Sequence, residues 1–362
     1  MQNRSANIIE HAVTDTELIY RVRDKRYGVD RCEPQKEAVR EGKIKFHALT
    51  KGHYPGTAIP AQVLPGLNSI GFWDANTSQD WGLNAHRNEG IEIVYLETGE
   101  SDFTVDQKLF NLHAGNFTIT RPWQLHKLGA PNIGPGRLHW LILDVGVRRP
   151  HQEWRWPKWV VLTKQDLAEL TRKLRHNENP VWTSTPTIAQ SFREIARTIA
   201  SWDQSHSVSR MAVNFNQLLI GILDALAEQQ TQENEQLVSR KRGVEIFLRD
   251  LKTGNTELDA QWTLDRMAAH CSMGVTAFSK YCRELVNSGP MEFLNQCRLE
   301  RAAEQLRSRP DLSITDIAFA NGFNSSQYFA TRFRRRYRVS PSHFLQKSSA
   351  GLRRSSESEH LP

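Results

Sequence analysis

Cysteine is scarce in this chain. Four residues, Cys32, Cys271, Cys282 and Cys297, are scattered over 362 positions, too few for the disulfide framework of a small secreted scaffold. Long apolar runs are missing too. The longest, "LLIGILDALA" at 218–227, is cut by Asp224 and falls short of the roughly 20 residues that span a bilayer. The first residues, "MQNRSANIIEHAVTD", lack the apolar run of a secretory signal, so a cytoplasmic location without a membrane segment is the expectation. Internal repeats are absent, and low complexity is confined to the end of the chain.

The chain is long enough for two domains and a connector, each domain with its own core. Its hydrophobic share of 39% and charged share of 24% suit a globular fold. Charge is unevenly divided. Residues 236–362 hold 20 Lys+Arg against 13 Asp+Glu, whereas residues 1–235 hold 27 of each. The whole positive excess therefore lies in the last third. A basic module joined to a neutral one suggests a polyanionic partner, because neutralising phosphates releases condensed counterions.

Residues 54–145 are punctuated by Pro and Gly, and between the breaks run short alternating stretches such as "IEIVYLE", "SDFTVDQ" and "NFTITRP". That alternation predicts antiparallel β structure. From about 164 the apolar spacing becomes helical, through "LTKQDLAELTRKL", "IAQSFREIARTIASW" and "MAVNFNQLLIGILDALAEQQ". The polar "EQQTQENEQ" at 228–236 reads as a helix end or linker, and "SSAGLRRSSESEHLP" at 348–362 as a disordered tail.

Residues 314–344, "ITDIAFANGFNSSQYFATRFRRRYRVSPSHF", read as two helices around an Asn-Gly turn. The first carries Ile314, Ile317 and Ala318 on one side; Gly322 tolerates positive φ, and Phe323 is an apolar anchor. Ser325 or Asn324 can cap the second helix. In it Phe329, Phe333 and Tyr337 recur every four residues, which predicts one buried face. At 100° per residue, Gln327, Thr331, Arg334 and Arg338 fall opposite, with Ser326 and Ala330 at the margin. Small polar residues lead and arginines, among them Arg334 and Arg335, follow. This is the layout of a recognition helix that reads base edges near its start and meets phosphates near its end.

A second unit lies upstream in "WTLDRMAAHCSMGVTAFSKYCREL", 262–285. Leu264, Met267 and Ala268 face inward from its first helix, Gly274 marks the turn, and Phe278, Cys282 and Leu285 face inward from its second. Thr276, Lys280 and Arg283 point the other way, with Ser279 beside them. One long helix, "MEFLNQCRLERAAEQLRS", joins the units. Two such units on a rigid connector can enter successive major grooves about 10 bp apart. Cys271, Cys282 and Cys297 lie too far apart in sequence for a paired zinc site and fit small buried residues.

The elements "AFSKYCREL", "RLERAAEQL" and the long stretch ending "RVSPSHF" resemble the DNA-binding domain of the AraC/XylS family of bacterial transcription regulators over about 245–347. The resemblance implies base-reading roles for Thr276, Ser279 and Lys280 in the first unit and Ser326, Gln327 and Thr331 in the second, in agreement with the projection. Cys282 stands where the family usually has Phe, and Arg338 where it usually has Gly.

In the neutral module, "WGLNAHRNEGIEIVYLETGE" followed by "LHAGNFTITRPWQLH" resembles the two motifs of the cupin barrel. His86, Glu92 and Gly99 match the first, and Gly115, Pro122 and His126 the second. Metal cupins carry another His two residues after the first, where this chain has Asn88. His86, Glu92 and His126 are thus candidate metal ligands, aimed into one lumen by strand alternation. AraC-type sensor domains generally use the barrel as a metal-free effector pocket, so the resemblance implies ligand binding, with Trp81, Asn84, His86, Glu92, Trp123 and His126 as effector-binding candidates. Flat faces at Trp81, Trp123 and Trp140 would suit stacking on a sugar ring.

The expected architecture is multidomain, α and β. It comprises an N-terminal arm (1–45), a cupin-like antiparallel β barrel that binds the effector (46–160), and a helical linker and dimerisation region (161–235). An all-α DNA-binding domain with two helix-turn-helix units (236–347) and the tail (348–362) complete it. The expected function is transcription regulation by a homodimer on double-stranded promoter DNA, in contact with RNA polymerase and responsive to a small-molecule effector, with no catalytic step and no cofactor. The alternatives are a metal-binding cupin enzyme fused to a DNA-binding domain and an effector-independent DNA-binding protein.

Overall fold

A computed structural model describes residues 32–346, apart from 107, 130, 131, 148, 230–233, 254, 255 and 310, together with strand backbone at 13–14, 17–22 and 25–29. The expected tail at 348–362 lies outside the described residues. The chain divides into two compact units, Met1–Ser239 and Arg240–Pro362.

The first unit opens with a small antiparallel sheet of β1 (Val13–Thr14), β2 (Glu17–Val22) and β3 (Lys25–Val29). Helix α1 (Glu33–Arg40) follows, with a proline in its first turn and Gln35 and Ala38 buried. The N-terminal arm thus carries these three strands and this helix. A ten-stranded sheet comes next, containing β4 (Lys45–Thr50), β5 (Thr57–Ala58), β6 (Leu67–Ala75), β7 (Leu83–His86), β8 (Ile91–Val105), β9 (Lys108–His113), β10 (Asn116–Thr120), β11 (His126–Leu128) and β12 (Gly136–Leu143).

Strand β8 organises this sheet. Its first half pairs with β10 and β12, while Glu100–Val105 pairs with β9 and, from Phe103 on, with β11. The corner is Gly99, at φ +91, where an added Cβ would meet Pro135 O at 2.1 Å. No L side chain fits that conformation and that approach together. The strand can therefore turn from one layer of the cupin-like fold into the other.

Period-two alternation gives the sheet two apolar faces. On β12, Leu138, Trp140 and Ile142 enter an inner core with Trp73, Val94 and Phe103. Leu141 and Leu143 enter a second core, which holds the flanking helices. Those helices are α2 (Lys164–His176), α3 (Pro186–Ala200) and α4 (Gln204–Glu228), capped by Thr163, Thr185 and Asp203. Phe192 of α3 stacks on Tyr95 at 5.3 Å. Between α2 and α3, β13 (Val181–Thr183) joins the sheet edge beside β10. Three residues are too few to display alternation, so this strand was hidden inside a region read as wholly helical.

The second unit is all helical: α5 (Arg240–Thr253), α6 (Leu264–His270), α7 (Val275–Val286), α8 (Pro290–Ser308), α9 (Ile314–Ala320) and α10 (Ser326–Tyr337). Long α8 contributes to two cores. Phe293, Leu294 and Cys297 pack with α5, α6 and α7, and Leu299, Ala302, Ala303 and Leu306 pack with α9 and α10. Among the described residues, no helix is long and apolar enough to cross a membrane.

Candidate functional site

Two places concentrate chemistry, one in each unit. In the second unit, α9 and α10 form a helix-turn-helix whose local geometry follows the sequence closely. Ser313 caps α9 by accepting from Asp316 N, and Ser325, not Asn324, caps α10 by accepting from Tyr328 N. Gly322 sits at φ +77, and a Cβ there would lie 2.7 Å from both Asp259 Cα and Arg298 Nη2. Arg298 is buried and donates to Leu258 O at 2.8 Å and Ala260 O at 2.9 Å. The turn is thereby locked onto α8 and the segment before α6.

Phe329 and Phe333 are both 0% exposed, and Tyr337 is half-buried against Phe333 and Phe344. On the other side of α10, Gln327, Thr331, Arg334, Arg335 and Arg338 are exposed, and Ser326 is partly so. Thr331 Oγ1 donates to Gln327 O at 2.9 Å, which leaves its lone pairs to accept from a base. Arg336 instead turns back to Glu300, 3.3 Å away. Among the described residues neither Arg334 nor Arg335 is held in an ion pair, so both can meet phosphate.

The first helix-turn-helix repeats this plan. Thr263 caps α6, Phe278 and Cys282 are buried, and Thr276, Lys280 and Arg283 are exposed with Ser279 at the edge. The turn differs from the sequence expectation in one respect. Ser272, at φ 55, takes the left-handed conformation, and Gly274 is an extended N-cap at φ −76. Burial pushes the Cys282 and Cys297 thiols up to about 11 and about 12, so both stay protonated and inert.

Arg338 closes α10 in the left-handed region, at φ 63. Glycine adopts this conformation freely and arginine does not. Arg338→Gly is expected to stabilise the second unit by about 1 kcal/mol in chemical denaturation while lowering affinity for all DNA sequences alike through the lost cation.

In the first unit, β7 and β11 pair with His86 directly opposite His126. Their rings lie 4.2 Å apart, edge to face, and His126 Nε2 is 2.5 Å from Glu92 Oε2. Asn88 donates to the same carboxylate oxygen at 3.1 Å. Beside them Tyr54 donates to Glu89 at 2.8 Å and Asn68 to its other oxygen. Burial raises the Glu89 carboxyl above its ordinary range.

The six effector-binding candidates separate. His86 and Glu92 line an inner cavity of about 30 Å³ with Tyr54, Trp73 and Trp140, and His126 stands beside them. Trp81 and Asn84 line an outer cleft of about 670 Å³ with Lys43, Asp80 and α1 residues Glu33 and Glu37. Trp123 lines neither space, because its indole donates to Val147 O at 2.7 Å. The sequence reading missed Tyr54, Ser69 and Trp73 along the inner cavity, and Cys32 and Gln35, which help to close it. The polar Gln35 inside an otherwise amphipathic helix was the one local signal.

Comparison with known proteins adds to this geometry. Residues 75–215 match the model of an AraC-like ligand binding domain, and residues 267–347 match that of a helix-turn-helix domain. A transcriptional activator of Klebsiella pneumoniae, RhaS, is 29% identical over 175 residues, 47% of this chain and 59% of its own length. The RhaS of Pectobacterium carotovorum is 28% identical over 263 residues, 71% of this chain and 85% of its own. The transcriptional regulator MtrA of Neisseria gonorrhoeae is 32% identical over 87 residues, 24% of this chain and 29% of its own. The matched region thus spans under two thirds of the Klebsiella and Neisseria relatives.

Proposed function

Because this chain belongs to the AraC family of transcription regulators, we propose that it is a sequence-specific DNA-binding regulator that responds to a small-molecule effector. One observation carries the reading. The aromatic stripe of α10 is sealed in a core, and the opposite edge offers Gln327 and Thr331, then Arg334 and Arg335. The same arrangement recurs on α7 with Thr276, Ser279, Lys280 and Arg283. Early polar residues read base edges in the major groove; the later arginines fix register on phosphates.

The protein acts as a homodimer on promoter DNA in the cytoplasm, contacts RNA polymerase, and performs no catalysis. Exposed Val213 (67%) and Ile220 (43%) lie seven residues apart on α4, a spacing that supports a helical dimer seam. A sugar-sized effector finds room in the outer cleft, where Trp81 offers a stacking face and Asn84, Asp80 and Lys43 polar partners. An effector acts by binding one arrangement of the dimer more tightly than the other, which shifts their populations.

Gln327→Ala and Arg334→Ala separate the two roles. The first is expected to cost about 1–3 kcal/mol on the cognate site and to relax preference at one or two base pairs. The second weakens every sequence alike and lowers the slope of log affinity against log salt by about one. Titration of labelled duplexes at several salt concentrations measures both, and identical behaviour of the two variants would refute the division.

A further inference from the structure

We propose that the barrel binds a single divalent transition-metal cation through His86, Glu92 and His126. The inference takes the barrel as the sensor domain from the reading above and names a ligand for it. The donor atoms of the three residues all lie within 4.8 Å of one another. Backbone register sets the two histidines opposite each other on β7 and β11, and Glu92 reaches them from the first half of β8, which pairs with β10 and β12.

Both imidazoles are turned the way metal ligands are turned. His86 Nδ1 lies 2.6 Å from Asn84 O, and His126 Nδ1 lies 2.9 Å from Gln124 O. A backbone carbonyl can only accept, so Nδ1 of each ring carries a proton and Nε2 is the nitrogen that would coordinate. Asn88 Nδ2, 3.1 Å from Glu92 Oε2, orients the carboxylate in the same second-layer manner. The histidine that would complete a four-ligand protein set is replaced by an outer hydrogen bond, which leaves one coordination position for a small ligand.

Size and donor type select the occupant. The cavity beside His86 and Glu92 measures about 30 Å³, room for one or two water-sized groups and far below the several hundred cubic ångströms of a typical organic-ligand pocket. Two imidazoles and one carboxylate suit zinc, cobalt, nickel or iron and discriminate against magnesium and calcium. Bonds of about 2.0–2.1 Å set tetrahedral donors about 3.3 Å apart. On binding, the histidine and carboxylate pairs therefore readjust by about an ångström.

The test uses the full chain, stripped with a chelator and dialysed, then titrated with ZnCl₂ or CoCl₂. Wild type is expected to retain a single equivalent of zinc after desalting, to give a visible cobalt absorption band, and to melt at higher temperature with metal. Magnesium at the same concentration should do none of these. His126→Ala should lower zinc affinity more than about 100-fold and Glu92→Gln at least about 10-fold. Glu92→Gln keeps the side-chain volume, so it carries the test if the histidine variant does not fold. Wild type holding less than about a tenth of an equivalent, zinc binding undiminished in Glu92→Gln, or equal binding of magnesium would overturn the proposal. DNA binding by the same metal-free samples separates the outcomes. A protein that selects DNA but takes no zinc refutes only the cation site, whereas one that takes zinc but selects no DNA refutes only the regulator reading.

Discussion

Phe333→Ala is expected to destabilise the second unit by about 3–5 kcal/mol and to abolish DNA binding at temperatures where wild type is fully folded. The ring is 0% exposed and lies where α8, α9 and α10 converge, 5.4 Å from Phe329, 4.5 Å from Tyr337 and 5.3 Å from Phe344. Its removal takes away buried area and leaves a cavity that three neighbouring rings cannot collapse to fill. Arg334, one residue along, is exposed, and Arg334→Ala should leave stability within about 0.5 kcal/mol. Urea denaturation followed by far-ultraviolet circular dichroism reads this contrast. Equal effects would mean that the aromatic stripe is not a core.

The second large effect is expected in the other unit. Gly99→Ala should cost at least about 3 kcal/mol, because two penalties add. A left-handed φ costs a non-glycine residue about 1–2 kcal/mol. A Cβ 2.1 Å from Pro135 O further requires one backbone segment to move away from the other. That segment leads into β12, where a Cβ added at Gly136 would likewise lie 2.2 Å from Thr98 O on the facing strand. Movement there disturbs the pairing of β8 with β12 and thereby the inner core behind the histidines. Nine of the ten tryptophans precede residue 240, so tryptophan fluorescence during urea denaturation reports this unit selectively. An unchanged midpoint would show that the corner does not depend on glycine.

How much of this was legible in the sequence depended on how local each feature is. The helix-turn-helix of α9 and α10 was readable because Phe329, Phe333 and Tyr337 repeat at helical period and because caps and turns use short-range chemistry at Ser313, Gly322 and Ser325. The barrel triad was readable from motif spacing, although only register shows that His86 and His126 face each other. Trp123 illustrates the limit. Its identity suggested a ligand-stacking face, yet its indole is committed to Val147 O, 24 residues away. Partners at such distances, like Asn68 with Glu89 or Lys43 with Asp80, leave no periodic trace. The same holds for Ser272, where a non-glycine residue takes the conformation that Gly274 seemed placed to supply. Strand β13 was invisible for lack of length, and in α1 only the buried polar Gln35 hinted at what the helix covers.

The most direct test of the account is selection of binding sites from random duplex DNA by the full-length protein and by its Lys280→Ala and Gln327→Ala variants. The account predicts an enriched site with two short conserved blocks about one helical turn apart, Lys280→Ala relaxing base preference in one block and Gln327→Ala in the other. Absence of enrichment with wild type, or loss of the same base positions in both variants, would contradict the claim that the exposed edges of α7 and α10 read DNA.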